Sequence, residues 1–388
     1  MKSNYKRLGD YIRQVDVRNR DERVNRLLGV SIDKVFIESI ANTVGTDMSV
    51  YKIVKRGQFA YGPVTSRNGD KVSIALLTEE ECIISSSYTV FEITDTKKLL
   101  PEYLNFWFKR PEFDRYARFH SHGSAREIFD WEEMCNVELP VPPIEEQEKI
   151  VDAYETIERR IALKRKINDN LESIAQTIFQ EKFASYYTLS ELPEGWKIVN
   201  LEKLCSVKGG KRLPADSELL DTPTEHPYIR VRDVGCNRYI CLTNQFQYID
   251  EKTHKFISRY IVNTNDIIIS IVGTIGLIGK IHSSLNQANL TENCVKLSDI
   301  HIVTSDYLYY TLCYKKQIKE IELLAVGAVQ AKLPMYNIQS MKILVPPTKV
   351  IEAFQDKMDV FNEQIEANTV EIQRLYKLQE VLLAKMSD

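Results

Sequence analysis

This 388-residue chain carries none of the short patterns that mark a nucleotide-driven or metal-dependent enzyme. Gly209-Gly210-Lys211-Arg212 lacks the rest of a Gly-x4-Gly-Lys-Ser/Thr phosphate loop, and Gly-x-Gly-x-x-Gly, His-Glu-x-x-His and Gly-x-Ser-x-Gly are absent. Nor is there an Asn-Pro-Pro-Tyr/Phe motif, which amino-methyltransferases use on a flipped base. No catalytic constellation is expected. Cysteine is sparse: the seven stand at 82, 135, 205, 236, 241, 294 and 313, without a Cys-x-x-Cys pair. That spacing predicts reduced thiols, not a disulfide frame or a metal site. His120 and His122 could ligate a metal in principle, but with no Cys or acid close by in sequence they read as loop residues, and no metal is expected. Long apolar runs are missing too. The most apolar stretch, Ile267–Ile281, is broken by Gly273, Gly276 and Gly279 and is too short to cross a bilayer. Met1–Lys6 does not begin a signal peptide, so a soluble, cytoplasmic protein is expected. The net charge of −3 rules out a polycation, so any anionic partner must be met by local patches.

What the chain does have is a long helical stretch, written twice. Val141-Pro142-Pro143 and three glutamates (Glu145, Glu146, Glu148) precede a run to Phe183 that contains neither glycine nor proline. Prolines before a helix and acids in its first turn suit the unpaired N–H groups and the macrodipole. Apolar residues at Ile150, Tyr154, Ile157, Ile161, Leu171, Ile174 and Ile178 trace one narrow seam. At an offset of 204 residues, Val345-Pro346-Pro347 repeats the start, and Phe354, Met358, Phe361, Ile365, Leu375, Leu378 and Leu382 repeat the seam. Two such seams bury most simply against each other, as an antiparallel coiled coil that spaces whatever it carries. At 1.5 Å per residue each helix would be roughly 60 Å long. Lys164 and Asn368 share one repeat position near the two midpoints, where they would meet, either as a buried polar pair that fixes register or as two solvated side chains.

The repeat extends beyond the helices. Residues 1–143 read as a mixed domain, with Tyr5–Tyr11 helix-like and strands near Leu27–Ile32, Phe59–Tyr61, Val72–Leu76 and Tyr88–Ile93. Leu99–Phe119 reads as helix split by Pro111, and Val137–Val141 as a short strand. After Leu192-Pro193-Glu194-Gly195-Trp196 the order restarts, and Gly327 matches Gly123. The expected fold is therefore α+β, with an internal pseudo-twofold repeat. Its parts are a first domain at 1–143, a first long helix at 144–187, a second domain at 188–345 and a second long helix at 346–388.

Basic, polar and aromatic residues sit on glycine-bearing stretches of both halves. The first set is Lys52, Lys55, Arg56, Tyr61, Arg67, Asn68, Lys71 and Arg126; the second is Lys208, Lys211, Arg212, Arg230, Arg232, Gln287 and Asn289. Guanidinium and amide groups suit base edges, lysines suit phosphates, and glycines let backbone N–H groups approach them. As a set they point to double-stranded DNA.

Taken together, the chain resembles the specificity (S) subunit of type I restriction-modification enzymes. The motifs are Leu139–Gln147 with Ile150-Val151, Leu192–Trp196, Gly209–Arg212 leading to Pro227–Val231, the Asp266–Gly279 hairpin, and Gly123-Ser124-Ala125-Arg126. Gly327-Ala328-Val329-Gln330 and Thr348–Ile351 depart from that pattern. The resemblance implies two target-recognition domains, each reading half of a split sequence. It also implies two helices that set the spacer and dock two methyltransferase (M) subunits. S-adenosylmethionine, ATP and Mg would belong to the M and restriction (R) partners, with no cofactor and no catalysis on this chain. Two other readings stand beside it: a stand-alone coiled-coil DNA-binding or scaffold protein without a methyltransferase partner, and an enzyme whose motifs have diverged.

Overall fold

The computed structural model describes residues 5–39, 45–66, 71–123, 126–235, 238–243, 245–327 and 331–386. Arg67, Asn68, Ser124, Ala125, Cys236 and the stretch 328–330 lie outside the described residues. The chain divides into two compact units, 1–162 with 374–388, and 163–373.

The first unit runs β1 (Tyr5–Arg7), β2 (Ile12–Val15), β3 (Leu28–Val30), β4 (Phe36–Glu38), β5 (Lys52–Val54), β6 (Phe59–Tyr61), β7 (Ile74–Leu76), β8 (Cys82–Ile84) and β9 (Thr89–Ile93). Then come helices α1 (Pro101–Phe108), α2 (Pro111–Phe119) and α3 (Trp131–Asn136), strand β10 (Glu138–Pro140) and the long helix α4 (Ile144–Phe183), of which residues up to 162 belong to this unit. Pro101 and Pro111 open α1 and α2, where a missing N–H costs nothing, and Asp130 caps α3 by accepting from Glu133 N. The main sheet has the order β2-β9-β6-β7, all antiparallel. Side chains alternate across it. Phe59, Tyr61, Ile74, Leu76 and Phe91 face the helices, while Ala60, Ala75 and Val90 face a smaller core with Leu28, Val54 and Ile84. Phe59 and Phe91 stack at 4.9 Å on the helix side. Tyr5–Arg7 is a strand paired with β10 rather than the start of a helix; those ladder bonds to Glu138–Pro140 override the local pattern.

The second unit contains β11 (Lys197–Asn200), β12 (Ser206–Gly209), β13 (Pro227–Ile229), β14 (Tyr239–Ile240), β15 (Gln247–Tyr248), helix α5 (Glu251–Ile257), β16 (Ile267–Ser270), β17 (Ile278–Ile281), β18 (Asn289–Leu290) and β19 (Cys294–Ser298). Helices α6 (Ser305–Leu312), α7 (Lys315–Leu324) and α8 (Met335–Ser340), strand β20 (Lys342–Val345) and the long helix α9 (Thr348–Lys385), of which residues up to 373 belong to this unit, follow. The sheet order β12-β19-β16-β17-β14 repeats that of the first unit with one strand added at the end. Strand β11 pairs with β20 as β1 pairs with β10. Ile267 and Ile269 face the helices, and Ile268 faces the opposite core. From α1 onward the repeat is in step: α1, α2, α3, β10 and α4 begin 204 residues before α6, α7, α8, β20 and α9.

Within each unit a piece of α4 runs antiparallel to a piece of α9. In the second unit the Phe183 and Phe354 rings are 5.3 Å apart, while Lys164 Nζ lies 3.0 Å from Asn368 Oδ1. Asn368 is buried and also donates to Asn168 Oδ1 at 2.7 Å, so the polar midpoint is a closed network. In the first unit Leu382, Leu383 and Met386 of the α9 end pack on the core that holds Val151 and Tyr154. Of the expected seam residues, Tyr154, Ile157, Ile161, Phe354, Met358 and Ile365 are buried. Ile150, Leu171, Ile178, Phe361, Leu375 and Leu382 are half-buried. Ile174 and Leu378 are 49% and 51% exposed, which corrects the seam at one position in both repeats. A straight helix drifts by about 20° per heptad from a 3.5-residue seam. In the second unit the aromatic residues of α6 cover the flank carrying Ala175, Phe179 and Phe183 instead.

Gln147, buried in the first turn of α4, gives the motif at that helix start a physical role. Its side chain donates to Lys98 O and Pro142 O at 2.9 and 2.8 Å and accepts from Leu100 N at 2.9 Å. The second unit puts Ile351 at this position, packed in the core. Among the described residues, no helix is long and apolar enough to cross a membrane.

Candidate nucleic-acid interface

In the second unit the expected residues converge on the ends of β12, β13 and β18. Gly210 N donates to Cys294 O and Lys211 N to Leu290 O, holding the chain against that corner. A Cβ on Gly210 would stand 2.0 Å from Thr291 O, so only glycine permits the approach. Lys208, within β12 opposite Lys296, and Lys211 and Arg212, beyond that strand, are exposed. Lys211 extends over the Tyr260 ring at 5.8 Å, and its carbonyl accepts from Tyr228 Oη at 2.9 Å. Arg212 Nε meets Glu292 Oε1 at 2.8 Å; that hydrogen bond raises its pKa further. Lys208 Nζ lies 3.6 Å from Asp299. Arg232 is exposed, and Gln287 is exposed with a left-handed backbone.

Two members of this set are placed otherwise. Asn289 is buried, with its amide nitrogen 3.1 Å from His254 Nδ1, so it is a core residue and not a surface contact. Arg230 is half-buried. Its Nε lies 3.4 Å from Asp233 Oδ2, its Nη1 donates to Gln247, and burial lowers its pKa. It braces its own loop.

The first set does not form one cluster. Lys55 and Arg56 are exposed in the turn ahead of β6, whereas Lys71 and Arg126 are exposed near its far end. Thr65 N donates to Glu127 O, and His122 and Ile128 close the Arg126 loop as a bridge. The second unit closes its loop at the same repeat position, through Val326 and Lys332. Gly123 and Gly327 have φ of +131° and +107°, and a Cβ on Gly123 would meet Arg126 O at 2.2 Å. Tyr61 is fully buried between Phe91 and Phe129, which corrects its expected role as a contact. Lys52 points inward to Tyr88 O at 2.8 Å, and burial lowers its pKa. His120 and His122 do have an acid partner: Glu133 lies 3.1 and 3.8 Å away, brought there by α3. Sequence reasoning missed Lys34, a buried ammonium 2.7 Å from Asp114 that ties the β3–β4 turn to α2. Its left-handed backbone and distant partner leave no pattern in the sequence.

A fold built twice, with glycine loops closed at the same repeat position, describes a protein of two related domains on a pair of long helices. Residues 44–173 and 193–377 match the type I restriction modification DNA specificity domain. The chain belongs to that family; its part is DNA recognition, a non-catalytic one. It is similar to the MjaIX specificity subunit of Methanocaldococcus jannaschii, at 24% identity over 74% of this chain and 68% of that protein. The HindI specificity subunit of Haemophilus influenzae is 20% identical over 89% of both chains. Among solved structures, the S subunit of a type I restriction-modification system from M. genitalium shares the fold, with a TM-score of 0.50 at 16% identity, covering 99% of this chain and 96% of that one.

Proposed function

We propose that this chain is the address reader of a type I restriction-modification complex, one domain reading each half of a split DNA target. The long helices set the unspecified spacer and dock two methyltransferase subunits. Methylation with S-adenosylmethionine, and ATP- and Mg-dependent cleavage with restriction subunits, belong to those partners. The domain limits proposed are 1–143 and 188–345. The exposed members of both residue sets contact DNA: Lys55, Arg56, Lys71 and Arg126 from the first, and Lys208, Lys211, Arg212, Arg232 and Gln287 from the second.

The observation that carries the reading is the repeat itself, two units of matching topology whose loops differ. Modest contacts from two linked domains combine into one tight event only when the spacing fits. Docking is supported by Ile174 and Leu378, large apolar side chains exposed at the same repeat position of α4 and α9, as two copies of one partner would require. Co-expression with the neighbouring methyltransferase in a methylation-free host, followed by single-molecule sequencing for N6-methyladenine, tests it. Methylation at one split motif with a fixed gap is the expected result; an assembled complex that methylates an unsplit motif would refute the reading. Lengthening both helices by one turn, about 5.4 Å, lengthens the permitted gap by roughly one or two base pairs.

A further inference from the structure

Three charged side chains are buried together, with a half-buried Glu172 beside them, where the globular part of the second unit meets its two helices. Arg238, just ahead of β14, and Lys280, on β17, both donate to Asp306 Oδ1 of α6. All three are almost wholly inaccessible. Asp306 Oδ2 accepts from Gln355 Nε2 at 2.8 Å and Asn362 Nδ2 at 2.7 Å, both on α9. Toward α4, Arg238 Nη1 donates to Tyr310 Oη at 3.1 Å, and that hydroxyl donates to Glu172 Oε2 at 2.9 Å. Burial alone would raise the Asp306 pKa, but Lys280 and Arg238 outweigh it and hold the carboxyl well below its ordinary range. Burial brings Lys280 down to about 8 and raises Glu172.

Among the described residues, the first unit packs here without a buried ion cluster. At the matching place the acid at Asp306 is kept as a half-buried Glu102, while Gln355, Asn362 and Tyr310 are replaced by Val151, Glu158 and Phe106. By ladder register Lys280 is replaced by Leu76: each faces the first residue of its partner strand, Ile267 or Phe59. Among the described residues, the main sheet of the first unit has no fifth strand to bring an arginine. Phe106 simply packs against Tyr154, with ring centroids 4.1 Å apart and the planes tilted by 31°. A buried ion cluster is weak evidence for stability, because apolar residues of equal volume serve as well or better. What it adds is direction: one carboxylate held by four donors from three segments, the stretch ahead of β14, β17 and α9, admits one angle, whereas an apolar contact can slide.

We propose that the Arg238–Lys280–Asp306 cluster fixes the angle at which the second globular domain leaves its helices, making Asp306 a positioning residue for the second half of the DNA target. This rests on the reading that each unit recognises one half-site. The test replaces the cluster with apolar residues, Arg238→Met with Lys280→Leu and Asp306→Leu, in the co-expressed methyltransferase complex. The expected variant melts no lower than the parent and methylates the first half-motif unchanged. Sites whose gap is one base pair longer or shorter become methylated about tenfold more than in the parent. A merely structural role would change melting and methylation at every site together. A second variant, Gln355→Leu with Asn362→Leu, leaves the three charges paired and removes their bonds to α9, along with the Gln355–Asp359 and Tyr239–Asn362 hydrogen bonds. It is expected to relax the gap in the same direction, and it decides the matter if the triple variant does not fold. A folded variant of either kind that keeps the parent's single gap overturns the proposal alone. A parent that methylates an unsplit motif removes the underlying reading as well.

Discussion

Asn368→Ala should open the middle of the helix pair in the second unit. The Asn368 carboxamide accepts from Lys164 Nζ and Gln364 Nε2, each at 3.0 Å, and donates to Asn168 Oδ1 at 2.7 Å. Neutral bonds contribute about 1 kcal/mol each and a charged one about 1.5–3, for a gross loss of roughly 3.5–5 kcal/mol. Part of this is recovered, because Lys164 keeps Glu371 at 2.9 Å and water reaches the half-buried Lys164 and Asn168. The net cost is therefore about 2–3 kcal/mol. At about 1.4 kcal/mol per decade, amide hydrogen exchange along this part of α9 should accelerate roughly 30- to 150-fold. Asn368→Leu separates stability from register. It fills the volume with an apolar side chain and should cost less than the alanine, while admitting alternative helix registers detectable by disulfide trapping. Exchange accelerated less than about threefold by the alanine, equivalent to under roughly 0.7 kcal/mol, would show that the network carries no load.

Ile174→Asp together with Leu378→Asp should leave the fold intact, since both side chains are about half exposed, yet weaken assembly with the methyltransferase; an undiminished complex on gel filtration would remove the docking role. Lys211→Ala in the assembled complex should weaken binding to all DNA sequences alike and reduce the slope of log affinity against log salt by about 0.9; an unchanged slope would place Lys211 off the phosphates. His282 is buried with Nε2 2.7 Å from Glu366 and Nδ1 accepting from Ser284 N, and burial lowers its pKa against the pull of Glu366. The unfolded chain then takes up the proton more readily than the folded one. The stability from neutral His282 is complete above the ordinary value of about 6.5 and is lost as pH falls toward the folded value. Thermal unfolding from about pH 7.5 down to 5 should therefore fall more steeply for the parent than for His282→Gln, and parallel curves would contradict the assignment.

Local rules sufficed for whatever is encoded within a few residues or repeated outright. Val-Pro-Pro followed by acids opens α4, Pro111 separates α1 from α2, and the 204-residue offset holds from α1 to the end of the described helices. Glycine at 123 and 327 was legible as a repeated turn. Strands β2, β4, β5 and β8 were not; at three or four residues a strand displays too little of a period of two to be told reliably from a loop, and β3, β6 and β7 were legible from their apolar composition instead. Nor could the sequence tell an exposed cation from a buried one. Lys211 and Lys280 each lie near glycine in a strand-rich stretch, yet one reaches solvent and the other Asp306. Tyr61, Asn289 and Arg230 resemble surface contacts until distant segments close over them. The repeat, the helices and the family resemblance follow from short-range patterns that survive in one dimension. Which polar side chains face DNA, and which tie a domain to its helices, depends on partners tens of residues away, and only tertiary packing brings those together.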